Sequence, residues 1–122
     1  MGDLVPRYKL WLESGDGLVM SDYRLRLLAL IAETGSLAAA AAAMGLSYRR
    51  AWGKVKELEA NLGYPLVRSE VGGAGGGHTA LTPEGARLVE AYDRFRRRVD
   101  AAVQAAFAEE LGPLAAEPRT TA

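Results

Sequence analysis

The chain contains no cysteine and a single histidine, His78. Without thiols there are no disulfides, no thiolate metal sites and no cysteine nucleophile, and the composition fits a reducing cytoplasm. One imidazole cannot build a multi-histidine metal site or a pair of acid–base histidines. Long apolar runs are missing too. The most hydrophobic stretch, Leu25 to Ala32, carries Arg26 and falls far short of the roughly 20 residues a bilayer requires. The opening residues Met1 to Pro6 lack the charged start and apolar core of a signal peptide. A cytoplasmic protein without membrane anchorage is expected. Net charge is also lacking: fifteen Lys and Arg balance fifteen Asp and Glu. Taken alone, that balance argues against a non-specific polyanion binder.

Catalytic constellations are absent as well. Ser14, Ser21, Ser36, Ser47 and Ser69 fall at turns or helix starts, where serine serves the backbone. Glu57 and Glu59 do not share a helix face, so they form no carboxylate pair. The tract Gly72-Gly73-Ala74-Gly75-Gly76-Gly77-His78-Thr79 has phosphate-loop spacing, but His78 stands where that loop needs lysine. The next helix also begins only at Pro83, too far on to receive a phosphate. Neither an enzyme nor a cofactor is expected.

What is present is a chain of 122 residues, 49% of them hydrophobic, enough for one modest core. Two short strands around Ser14-Gly15-Asp16-Gly17 read as an N-terminal hairpin. Ser21 or Asp22 caps a helix over Tyr23–Glu33, whose inner face carries Leu27, Leu28 and Ile31. Leu30 points away from that face. Ser36 caps a second, alanine-built helix that stops at Gly45. Ser47 caps a third, running to Ala60 or Asn61, with Ala51, Val55, Leu58 and Leu62 on one stripe. The second and third helices are separated only by Gly45-Leu46-Ser47, the spacing of a helix-turn-helix. Strand-like segments then flank the glycine tract, as in a β-wing. Thr82-Pro83 starts a long last helix. Along it Leu88, Tyr92, Phe95, Val99, Ala102 and Ala106 step by four and three, a coiled-coil spacing suited to dimerisation. The fold class expected is mainly α: a winged helix-turn-helix over 1–111 with its dimerisation helix at 83–108. Residues 112–122 are read as a disordered tail.

With Ala51 facing inward, the third helix turns Arg49, Gly53 and Lys56 outward, with Arg50 and Trp52 flanking them. Lys54 sits nearer the core boundary, and Tyr48 lies in the first turn. Such a helix fits the DNA major groove, where arginine and lysine donate to guanine and phosphate. Glycine in mid-helix costs about 1 kcal/mol against alanine, which makes sense where a base or phosphate comes close. Trp52 suits a packing role as well as a base contact. Segment 47–69 sets Arg49, Arg50, Lys54, Lys56 and Arg68 against Glu57 and Glu59, a local excess of +3. Arg94, Arg96, Arg97 and Arg98 read as a solvated face or as further backbone contacts.

The runs Leu27 to Leu37, Ala40 to Gly45 and Ser47-Tyr48-Arg49-Arg50-Ala51-Trp52 resemble the N-terminal DNA-binding domain of the ModE family of molybdate-dependent regulators. The glycine-rich wing followed by Leu81-Thr82-Pro83-Glu84-Gly85 resembles that family too. Leu58-Glu59-Ala60-Asn61-Leu62-Gly63-Tyr64-Pro65-Leu66 is similar to the wider LysR-type winged helix. The likeness spans about residues 20–90. It implies a homodimeric, sequence-specific transcriptional regulator reading a palindromic operator in double-stranded DNA. The third helix would lie in the major groove and the wing, 71–78, on adjacent backbone or minor groove. On that reading the DNA-binding residues are Ser36, Ser47, Tyr48, Arg49, Arg50, Trp52, Gly53, Lys54, Lys56, Arg68, Gly75, Gly76, Gly77 and His78. Leu30 joins the long-helix stripe in dimerisation. The family senses molybdate through C-terminal domains with no counterpart in these residues, so no ligand site is carried over. Two alternatives stay open: a protein–protein interaction module, and an oxyanion binder (of molybdate) at a dimer interface.

Overall fold

Three serines start three helices. A computed structural model of the chain describes residues 4–15, 17–70 and 78–116. In it the Ser21 hydroxyl accepts from the Arg24 N–H at 3.1 Å, Ser36 from Ala39 at 3.0 Å, and Ser47 from Arg50 at 3.1 Å. Each bond satisfies an amide that the first helical turn leaves free, a contribution of about 1 kcal/mol. The helices are α1 (Asp22–Thr34), α2 (Leu37–Ala43) and α3 (Tyr48–Leu62). They form within a compact unit spanning Leu10–Asp93.

The strands of that unit make two separate antiparallel pairs. β1 (Trp11–Ser14) pairs with β2 (Gly17–Ser21), matching Trp11 to Ser21, with an irregularity between Leu12 and Glu13. The side-chain amide of Asn61 on α3 donates to the Leu18 carbonyl at 2.8 Å and so fastens this hairpin. β3 (Val67–Glu70) and β4 (His78–Leu81) form the wing base, with Val67 opposite Leu81 and Glu70 opposite His78. Gly75, Gly76 and Gly77 lie outside the described residues.

The core collects one face of each element. Met20, Leu27, Leu28, Ile31, Val55, Leu58 and Leu66 are fully buried, and Ala40, Ala41 and Ala51 let the helix backbones approach closely. Burying each large aliphatic side chain contributes about 1.5–3 kcal/mol. The stripe expected on α3 is the buried one, with Leu62 half-buried at its end.

The long helix α4 (Pro83–Glu110) begins where expected. The Thr82 hydroxyl accepts from the Gly85 N–H at 2.9 Å and donates to the Pro65 carbonyl at 2.8 Å. The Thr82 N–H also donates to the Leu66 carbonyl at 2.9 Å. A Cβ on Gly85 would collide with that carbonyl. The Leu-Thr-Pro-x-Gly motif is therefore a packing device that seats the helix start on the root of the wing.

Several expectations need correcting. Tyr92 does not belong to an open dimerisation stripe: it is 2% exposed, its hydroxyl 3.3 Å from both the Leu10 carbonyl oxygen and Asp22 Oδ1. Leu30 and Leu88 are half-buried against the same core. The heptad spacing is real, but its first turns cover the chain's own hairpin and α1. A second compact unit joins Met1–Lys9 to Arg94–Ala122. Within its described part, Tyr8 donates to Asp100 Oδ1 at 2.8 Å. There Phe95 is 42% exposed, Val99 half-buried, and Ala102 and Ala106 exposed. The stretch read as a structureless tail opens with a short helix, α5 (Gly112–Ala116).

Candidate nucleic-acid interface

α2 and α3 meet through Met44 to Ser47, so burial of Ala51, Val55 and Leu58 fixes which side of α3 faces out. Tyr48, Arg49, Arg50, Trp52, Gly53 and Lys56 all lie on the exposed side. A Cβ on Gly53 would meet nothing within 4 Å, so no contact within the described residues requires glycine there. Lys54 is half-buried at the margin of that face. Burial, and then the charges of Arg24 and Arg50, bring the Lys54 ammonium below its ordinary value, while Glu57 acts the other way.

Lys56 is committed to its own helix. Its ammonium lies 2.9 Å from Glu59 Oε1 and 4.3 Å from the centre of the Trp52 ring. Trp52 is 37% exposed, serving as a platform under the lysine. Arg68 is exposed on β3, 3.3 Å from Glu70.

Glu59 organises the root of the wing, a role the sequence reading missed. Its Oε2 accepts from the Leu66 N–H at 2.7 Å and the Val67 N–H at 3.2 Å. Burial alone would raise its pKa. The hydrogen bond from Lys56, those from Leu66 and Val67, and the lysine charge outweigh that and hold it below its ordinary value. The available signal was electrostatic: a carboxylate near the C-terminal end of a helix opposes the macrodipole and so needs a partner.

The other wing strand is held from the opposite side. The Thr79 N–H donates to the Gly35 carbonyl at 2.9 Å, and the His78 ring packs on Gly35. Gly35 has φ +70°, a left-handed conformation, and a Cβ there would strike the imidazole. Conformation and space both demand glycine at this turn. Around this junction Ser36, Tyr48, Ser69, His78 and Thr79 line a shallow pocket of 190 Å³. Ser36, Tyr48 and His78, expected separately to touch DNA, thus converge. Ser36 and Ser47 are also occupied as helix caps. Among the described residues, no three His, Asp or Glu side chains cluster as metal ligands, and no helix is long and apolar enough to cross a membrane.

A helix-turn-helix, a wing rooted on it and an outward basic helix constrain the family closely. The sequence profile of the bacterial regulatory helix-turn-helix proteins of the lysR family matches residues 23–86. The chain belongs to that family. This lysR-family chain is 45% identical over 76 residues to the molybdenum-pterin-binding protein MopB of Rhodobacter capsulatus, covering 62% of itself and 28% of MopB. It is 40% identical over 81 residues to the molybdenum transport protein ModE of Azotobacter vinelandii, covering 66% of itself and 30% of that protein. The chain thus spans under a third of the length of these curated relatives. Among solved structures, it is similar to the CbnR DNA-binding domain in its DNA complex. There the TM-score is 0.57 at 26% identity, over 74% of this chain and 98% of that one. The winged helix-turn-helix expected from the sequence is present.

Proposed function

We propose that this lysR-family chain is a sequence-specific, DNA-binding transcriptional regulator that works as a homodimer in the cytoplasm, by binding and not by catalysis. α3 enters the major groove, and the wing over 71–78 reaches the adjacent backbone or minor groove. The observation that carries the reading is the division of α3. One side is locked into the core, and the other offers Arg49, Arg50, Tyr48 and the bare backbone of Gly53 to a partner. Similarity to a domain solved on DNA supports the same reading. Homodimerisation is supported by the stripe Phe95, Val99, Ala102 and Ala106, which leaves apolar surface on the distal half of α4.

The test is a titration of duplex DNA with the wild type and an Arg49→Ala, Arg50→Ala double variant across a salt series. Affinity is expected to fall at least about tenfold, and the slope of log K on log salt to shrink by about two units, one per lost phosphate contact. Equal affinity and slope for the two proteins would overturn the reading. Wild type that ignores random duplex even at low salt would point instead to a protein–protein module.

A further inference from the structure

Tyr23 and Arg24 lie in the first turn of α1 beside the basic face of α3, and neither side chain has a part in the DNA-binding reading so far. Two cations flank the Tyr23 ring: the Arg24 guanidinium at 5.6 Å and the Lys54 ammonium at 5.3 Å from its centre. Arg50 stands one turn before Lys54 on α3. Against these three positive charges stands the Glu57 carboxylate, 3.6 Å from Arg24 and itself half-exposed. The cluster therefore carries excess positive charge.

Arg24 has two partners, the Glu57 carboxylate and the Tyr23 ring, and they satisfy it only in part. Its side chain is only 15% exposed. Its Nε is buried with no hydrogen-bond partner among the described residues. It lies in the first turn of α1, where the helix macrodipole disfavours a cation. Like charges crowded at a helix start are relieved by one anion. A backbone phosphate is the anion that the position favours, because Arg50 and Lys54 belong to the helix proposed to lie in the groove. Strands bordering that groove pass along its flanks.

We infer that Tyr23, Arg24 and Lys54 form a phosphate seat flanking α3, gripping the DNA backbone at the edge of the groove. This rests on the DNA-binding reading and widens the contact surface from α3 to α1. The Tyr23 ring holds the two cations in place, and the Glu57 carboxylate tempers them when no phosphate is bound.

The experiment uses the full chain and a random-sequence duplex, with affinity read by fluorescence anisotropy over a salt series. Arg24→Gln is expected to weaken binding about five- to tenfold and to reduce the salt slope by about one unit, while Arg24→Lys keeps the slope. Glu57→Gln is expected to tighten binding, and that gain to vanish in the Arg24→Gln background. A merely structural Arg24–Glu57 bridge gives the opposite sign, since Glu57→Gln then loosens α1 from α3 and weakens binding. Arg24→Met, which keeps the aliphatic stem, replaces Arg24→Gln if that variant fails to fold. Wild type that binds DNA alongside an Arg24→Gln or Arg24→Met variant of unchanged slope overturns the seat and leaves the DNA-binding reading standing. Wild type that binds no duplex overturns both.

Discussion

Two glycines in this chain look alike in sequence and differ in what they do. Gly53 faces open space in the middle of α3, whereas Gly85 presses on the Leu66 carbonyl. Gly53→Ala is expected to stabilise the fold by about 1 kcal/mol in thermal or urea unfolding, and to weaken duplex binding where the backbone must approach DNA. Gly85→Ala is expected to cost about 1–3 kcal/mol, because helix start or wing root must shift. A shared sign for the two stability changes would contradict this. Gly53 was legible in the sequence, since a mid-helix glycine stands out against local propensity. Gly85 was visible only as a letter in a motif, because the contact that demands it comes from another element. Glu59 and Arg24 were hidden for a related reason: each opposes its helix dipole, and only the fold shows what compensates.

At the scale of elements, α3 does two jobs, presenting side chains outward and holding the wing. Glu59 does the holding, and its lowered pKa gives this a pH signature. A carboxylate depressed in the folded state stabilises fully above its ordinary value, 4.5, and that contribution is lost as pH falls below it. Glu59→Ala should therefore lower stability at neutral pH by about 1–3 kcal/mol, since it strands the Leu66 and Val67 N–H groups. The variant should also lose less stability than wild type on acidification. Urea unfolding at a series of pH values checks both, and parallel curves would exclude the role. The helix starts were readable because serine caps are local, two to three residues from what they bind. Tyr92 was not. A heptad spacing identifies an apolar stripe but not what covers it, and here Tyr92 meets Leu10, at the entry to the hairpin about 80 residues earlier in the chain.

For the whole molecule, a formal net charge of zero conceals an excess of +3 over 47–69. On the proposed reading this yields modest affinity for random DNA, with attraction directed to one face. The corrected stripe also narrows where two copies would meet. With Tyr92 buried and Leu88 and Leu30 half-buried against the core, Phe95, Val99, Ala102 and Ala106 carry most of the stripe's remaining exposed surface. Ala102→Glu with Ala106→Glu changes two exposed positions at little cost in helix propensity. Sedimentation is expected to show a dimer for wild type and a monomer for this variant, at unchanged helicity by circular dichroism. A dimeric variant would move the interface elsewhere.

The two moorings of the wing have a mechanical meaning. β3 is tied to α3 by Glu59, and β4 to the α1–α2 turn through Gly35. The base of the wing and α3 then stand like the jaws of a caliper locked at one gauge. A duplex gripped by both must bring its own groove to that width, and sequences that narrow or bend readily do so at lower cost. On the proposed reading, such a gauge selects among operators by their stiffness, at base pairs that no side chain touches.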